Sequence, residues 1–367
     1  MKFTLALSIL INCCLLTSCN DLSKLNKSDS DKIIYDVVFR DNLAGTYEKQ
    51  DIGNNSLEYY YTYTDRGRGP KYSEKITLSE KGLITSQEIN GVNYRKTPMN
   101  ESFSIKKSKA TWVNIGGEKE VDFNNNKLYF RYDGTPAIYE ILAKQLLKSK
   151  NSKIELYPKG EIELVKKFPL KLSNDTSLNL LMIKGLDMNP SYIWVKGDEM
   201  IGKIAGNLHV IREDFKSFRL EIKTLQDKIE DEYLIEIAKK CTHKVGYVVI
   251  KNVNVFTPKG TLLLNQDVFV ENGIIKEIKI SNKKNKTHDA FVIDGSGKTL
   301  LPGMFDMHTH NNKFRGSLYL AGGVTSVRDL ANNKQLKALS TQFNKNEILG
   351  PRIVTFADII WWYLIRS

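Results

Sequence analysis

Residues 292–310, VIDGSGKTLLPGMFDMHTH, decide how this chain is read. A short apolar strand runs into Asp294-Gly295 and a glycine-rich turn follows. A second strand is predicted over residues 300–307, with His308 and His310 at its end. Side chains alternate along a strand, so residues two apart share a face. That sets the two imidazoles side by side, as two nitrogen ligands of one metal ion must be. An isolated His-x-His is a weak signal, and its surroundings have to carry the reading.

Those surroundings are specific. Leu301-Pro302-Gly303 precedes Asp306-x-His308-x-His310, and Val292-Ile293-Asp294-Gly295-x-Gly297 comes before both. Together they resemble the opening of the metal-dependent amidohydrolase superfamily, in which the His-x-His closes the first strand of a (β/α)8 barrel. Residues 322–329 resemble that family's second strand. Arg328 and Asp329 fall at its C-terminal end, the functional face of a barrel, where bracing is preferred to substrate contact. Helices are expected over residues 317–321 and 333–346, with a third strand over residues 350–356. Upstream, residues 246–255, 260–264, 266–271, 273–280 and 290–293 read as short strands, and Asn272-Gly273 is a tight-hairpin signal. This region resembles the small β-sandwich that precedes the barrel in the family.

The resemblance implies a divalent metal, usually zinc, that polarises a carbonyl and turns bound water into hydroxide near neutral pH. His308 and His310 are then the first two metal ligands. The other ligands and the catalytic Asp are expected after later strands, beyond Ser367, so no catalytic residue is assigned within the chain. Asp306 is expected to orient its strand through backbone hydrogen bonds. His243 and His288 read as exposed and unrelated to the site. Residues 357–367, ADIIWWYLIRS, resemble the end of a barrel cut short after its third strand, and an inactive chain is expected.

The N-terminus has its own logic. Met1-Lys2 is a minimal basic start, residues 3–16 are apolar, and Leu16-Thr17-Ser18-Cys19 resembles a bacterial lipobox, with Cys19 as the lipidated residue. The apolar run is of signal-peptide length, short for a membrane-spanning helix. Residues 20–32 are polar and free of aromatics, which suits a flexible tether. Lipid anchoring in a bacterial cell envelope is therefore expected. Three of the four cysteines lie in the first nineteen residues, so Cys241 alone remains and a disulfide framework is excluded. The net charge of +12 comes from scattered lysines with no basic helix or aromatic-lined groove, and a nucleic-acid partner is not expected.

Between these ends, residues 57–63, 71–78, 83–89, 110–115, 127–132, 154–164 and 178–183 read as strands separated by Gly- and Asn-rich turns. One helix is predicted after Thr135-Pro136, with Ile138, Ile141, Leu142 and Leu146 on one face. Arg66 and Arg68 lie in a glycine turn where an acidic ligand would find them, although solvated arginines are the simpler reading. Residues 190–212 read as a hairpin turning at residues 196–199, and similar hairpins precede the core in exported members of the same family. From residue 213 to 241, Phe218, Ile222, Leu225, Ile229, Tyr233 and Ile237 recur at helical spacing, which predicts a packing helix.

The expected organisation is multidomain. A signal peptide covers residues 1–18, a tether 19–40, a β-rich accessory domain with one helix 41–212, and a linking helix 213–244. The β-sandwich covers 245–299, and the incomplete TIM-type barrel 300–367. The expected activity is hydrolysis of a non-peptide carbon–nitrogen bond in a small amide or cyclic amide. The alternatives are a non-catalytic, lipid-anchored binding or structural lipoprotein, and a gene fragment whose other half is encoded downstream.

Overall fold

The computed structural model of the chain describes residues 32–131, 133–285, 287–330 and 335–355. Cys19, the leader, the tether up to residue 31 and the tail from residue 356 lie outside the described residues. The chain divides into two compact units, Met1–Lys223 and Thr224–Ser367. Among the described residues, no helix is long and apolar enough to cross a membrane.

The first unit is built from Lys32–Phe39 (β1), Asn42–Gly53 (β2), Ser56–Tyr63 (β3), Lys71–Leu78 (β4), Ile84–Val92 (β5), Pro98–Lys106 (β6), Lys109–Asn114 (β7), Gly117–Asp122 (β8), Lys127–Tyr129 (β9), Lys153–Tyr157 (β10), Glu161–Lys171 (β11), Ser177–Lys184 (β12), Ser191–Lys196 (β13), Glu199–Ala205 (β14) and Leu208–Arg212 (β15). They make one sheet in the order β8-β7-β6-β5-β4-β3-β2-β1-β15-β14-β13-β12-β11-β10-β9. Only β9 and β10 pair in parallel; every other neighbour is antiparallel.

Three expectations are corrected here. Residues 32–40 were assigned to the tether, but β1 lies in the middle of the sheet with Tyr35 and Val37 buried. Its alternating apolar residues outweigh the polar composition just before it. The run 154–164 is two antiparallel strands, β10 and β11, turning around Gly160 at φ +107°. β2, β6 and β8 escaped the strand reading because polar residues dilute their patterns; in β8 all six side chains are exposed.

The sheet curls until its two ends meet. Trp112 of β7 lies 6.2 Å from the rings of both Tyr129 and Tyr157, and Phe103 of β6 stacks on Tyr129 at 4.3 Å. Inside the curl lies α1, Ala137–Lys148, with Ile138, Ile141, Leu142 and Leu146 buried in the same core as Tyr35, Tyr47 and Tyr59. It begins after Pro136, where Thr135 Oγ1 accepts the Ala137 N–H at 3.2 Å. Tyrosines are prominent in this core, and burial drives the Tyr47 and Tyr59 phenols far above their ordinary range.

His209 on β15 is buried between one donor and one acceptor of fixed identity. Arg219 Nη1 lies 2.8 Å from its Nδ1, and Nε2 lies 3.2 Å from the Gly206 carbonyl. A guanidinium only donates and a carbonyl only accepts, so His209 is neutral with its proton on Nε2. Burial, with Arg219 and Lys223 nearby, lowers its pKa below the ordinary 6.5. The unfolded chain then takes up this proton first as pH falls, so stability is lost below about pH 6.5. Urea midpoints at pH 7.5 and pH 5 are expected to show that loss, and His209→Gln to shrink it. Equal pH dependence in both proteins would refute this assignment.

In the second unit, Tyr247–Phe256 (β16), Leu262–Glu271 (β17), Ile274–Ile280 (β18), Phe291–Asp294 (β19) and Thr299–Leu300 (β20) form one sheet. β18, β17, β16 and β19 are laid in that order, and β20 extends the edge beside β16 in parallel. Asn272 and Gly273, at φ 49° and 77°, make the expected hairpin between β17 and β18. The expected sandwich is a single sheet among the described residues. The register puts Ile250, Val268, Ile278 and Ile293 across one face, and Ile278 and Ile293 remain exposed. A strand was expected at 260–264 apart from 266–271, but Leu262–Glu271 is one continuous β17.

The second sheet is parallel: Met304–Thr309 (β21), Val324–Asp329 (β22) and Arg352–Thr355 (β23). Arg219–Cys241 is α2, Gly316–Ala321 is α3 and Leu336–Asn344 is α4. α3 joins β21 to β22 and α4 joins β22 to β23, which makes two consecutive strand–helix–strand units. Val327 and Ile353, cross-strand partners, pack with Leu336, Leu339 and Phe343 of α4 and with Leu234 of α2. Leu300, expected to open the strand that ends in the histidine pair, pairs instead with Val255 in the other sheet, and that strand starts at Met304. On α2 the buried positions are Ile222, Gln226, Ile229, Glu230, Leu234 and Ala238. Leu225, Tyr233 and Ile237 of the expected stripe are only half-buried, and the buried Gln226 and Glu230 satisfy each other at 2.7 Å.

Candidate metal centre

The expected ligands lie at the C-terminal end of β21. His308 is in the strand, His310 follows it, and both are exposed. Their ring centroids are 5.5 Å apart and their planes nearly perpendicular, at 78°. The pairing of β21 with β22 shifts register here: Asp306 faces Val327 and Thr309 faces Asp329. Three steps along β21 match two along β22, so His308 sits in a bulge, a device that re-aims side chains and interrupts the ladder.

Side chains take over the interrupted backbone bonds. Asp306 Oδ1 accepts the His308 N–H at 3.0 Å, the backbone role expected of it. Arg328 Nε donates to the Met307 carbonyl at 2.7 Å. Asp329, 1% exposed, accepts the Asn311 backbone N–H at 2.6 Å and its Nδ2 at 2.8 Å on the same oxygen. Asn311 Nδ2 also reaches Thr309 Oγ1 at 2.8 Å, and Arg315 Nη1 donates to the His310 carbonyl at 3.0 Å. Arg328 and Asp329 thus brace the strand end. Two residues beyond Asn311, Lys313 meets Glu230 at 3.0 Å and Asp231 at 2.8 Å on α2, tying the loop after the histidines to that helix. Sequence reading overlooked Asn311 and Lys313, since neither type carries a metal-site signature.

The fit to a metal is partial. Two imidazoles at this spacing suit two positions on a divalent ion, whereas zinc sites use three or four protein ligands. Among the described residues, no group of three His, Cys, Asp or Glu side chains is placed to hold a metal. The chain has five histidines. His209 is in the first unit, His243 stacks on Phe291 and His288 pairs with Asp289. None of these three joins the pair. Arg66 and Arg68 have a partner within their own turn. Asp65 engages both, at 3.1 and 3.9 Å, and Arg68 lies over the Tyr94 ring.

No protein-family model matches the chain. It is 44% identical over 63 residues to a 5-methylthioadenosine/S-adenosylhomocysteine deaminase of Dictyoglomus turgidum, 17% of this chain and 14% of that enzyme. It is 37% identical over 98 residues to a dihydroorotase of Carboxydothermus hydrogenoformans, 23% of this chain and 21% of that enzyme. Among solved structures, molinate hydrolase aligns over 31% of this chain and 30% of its own, at 21% identity and a TM-score of 0.27. The chain therefore spans about a fifth or less of the length of these two curated relatives, and the likeness it carries is to amidohydrolase-type enzymes that act on carbon–nitrogen bonds.

Proposed function

We propose that the second unit is the opening of a metal-dependent amidohydrolase barrel, and that the whole protein hydrolyses a carbon–nitrogen bond in a small, non-peptide amide or cyclic amide. The observation that carries this is the pairing of His308 and His310 at the C-terminal end of the first strand of a parallel strand–helix–strand series. Active sites in barrels lie at that end. The partial likeness to dihydroorotases and a deaminase supports it.

His308 and His310 would hold the metal, zinc being the expected ion, and a bound metal would supply Lewis-acid polarisation and an acidified water. The described residues contribute two ligands to that ion. Their own work is to hold two imidazoles at a common spacing, with Asp306, Arg328 and Asp329 fixing the backbone beneath them. Hydrolysis by these residues alone is not expected.

Zinc titration of the full chain is the test. Weak uptake is expected, lost in His308→Ala/His310→Ala. Uptake unchanged by that double substitution would end the metal reading, and tight, stoichiometric zinc would end the two-ligand account.

We also propose export and lipid anchoring at Cys19 in a bacterial envelope. Cys19→Ala should release the protein from the membrane fraction and abolish labelling with a radioactive fatty acid. A second reading, a non-catalytic binding or structural lipoprotein, draws support from the separate core of the first unit. Mass spectrometry of the purified chain discriminates the two. A co-purifying small molecule retained in His308→Ala/His310→Ala would favour the second reading.

A further inference from the structure

We propose that Asp329 is the positioning residue of the histidine pair, acting through Asn311 and not by touching a metal. This rests on the metal reading above and adds how the half-site is held. His308 occupies a bulge, so the β ladder does not fix the backbone where the imidazoles project. Thr309 between them keeps its pairing with Asp329, but His308 in the bulge and His310 beyond the strand lie outside that register, and two exposed histidines on such backbone would seldom share one ion.

Asp329 removes that freedom. It is anchored on β22, whose backbone pairs with β23 as well as β21, and it is 1% exposed. One of its carboxylate oxygens receives both the backbone and the side-chain N–H of Asn311, the residue directly after His310. Bonds to an ionised acceptor are about twice as strong as neutral ones. Because a carboxylate accepts only, the Asn311 amide nitrogen must face it, and that same nitrogen ties back to Thr309 Oγ1. Thr309 Oγ1 donates to the Arg328 carbonyl at 3.2 Å, and Leu330 N donates to the Thr309 carbonyl at 3.1 Å. The residues flanking His310 on both sides are thus locked to β22, while the imidazoles stay exposed. Partners of this kind, one step behind the ligands, typically change metal affinity 10–100-fold when replaced.

The test compares the full chain with Asp329→Ala, Asp329→Asn and Asn311→Ala, using Co²⁺ alone as the titrant and a histidine-labelled NMR spectrum without metal. In the unaltered chain, ring protons of His308 and His310 should show a mutual NOE. Asp329→Ala should lose it and bind Co²⁺ at least ~10-fold more weakly. Asp329→Asn keeps one carbonyl acceptor and should fall between. If Asp329→Ala fails to fold, Asn311→Ala, which leaves the carboxylate bonded to the backbone N–H, should weaken both readouts in the same direction. Folded variants that retain the NOE and the Co²⁺ affinity would overturn the proposal. Should the unaltered chain bind Co²⁺ no better than His308→Ala/His310→Ala, the metal reading falls. The positioning role then stands if the NOE still depends on Asp329, and falls with it if not.

Discussion

Replacing Arg131 by methionine is expected to destabilise the first unit by about 3–5 kcal/mol, because it strands a buried carboxylate. Glu74 points into the core from β4 and is 2% exposed. It accepts from Arg131 Nη2 at 2.9 Å, from Gln87 Nε2, and from both the backbone N–H and the hydroxyl of Thr135, at 3.1 and 2.5 Å. Thr135 lies just before α1, so the carboxylate also sits near a helix N-terminus, where negative charge is favoured. Among the described residues, Arg131 is the full positive charge that meets Glu74, and its side chain is itself 8% exposed. Removing it leaves the other bonds unable to offset the cost of burying the charge. Urea unfolding followed by tryptophan fluorescence checks the size of the loss. Replacing both partners by apolar residues, Glu74→Leu with Arg131→Met, should recover much of it, since a buried pair is often no better than a packed apolar substitute. A double variant as unstable as Arg131→Met would show that the network does more than neutralise Glu74.

The second large effect belongs to Gly303, in the Leu-Pro-Gly that leads into β21. A Cβ built there would overlap the side chain of Thr325 on β22. Gly303 has an ordinary backbone conformation, so the constraint is space and not φ. Met304 N donates to the Gly323 carbonyl at 2.9 Å and Met304 pairs with Val324, so the two strands are already in contact at this point. Gly303→Ala should force them apart at a cost of about 1–3 kcal/mol, the usual range for overpacking. Thr325→Ala should recover part of that loss, a coupling expected of touching residues and absent between distant ones. Additive losses in the double variant would mean the strands yield elsewhere.

Both effects hinge on neighbours far away in the chain, and that marks the limit of what could be read from residue order. The alternation in residues 71–78 and the run in residues 178–183 were legible because strand periodicity is local. β1 was hidden by polar composition beside it, and β8 by having no apolar face at all. The half-site was legible as a pair, His308 and His310, because two residues apart on a strand is a fixed geometry. Its bulge was not, since a register shift exists only relative to β22.

The order of residues by itself therefore determined many of the local elements and the histidine pair. Tertiary structure alone decided that one sheet curls around α1, that Glu74 meets Arg131, and that Asn311 and Asp329 hold the end of β21. The reason is physical: periodicity and spacing act through bonds and nearest neighbours, whereas curl, register and buried charge pairing depend on side chains brought together across long stretches of chain.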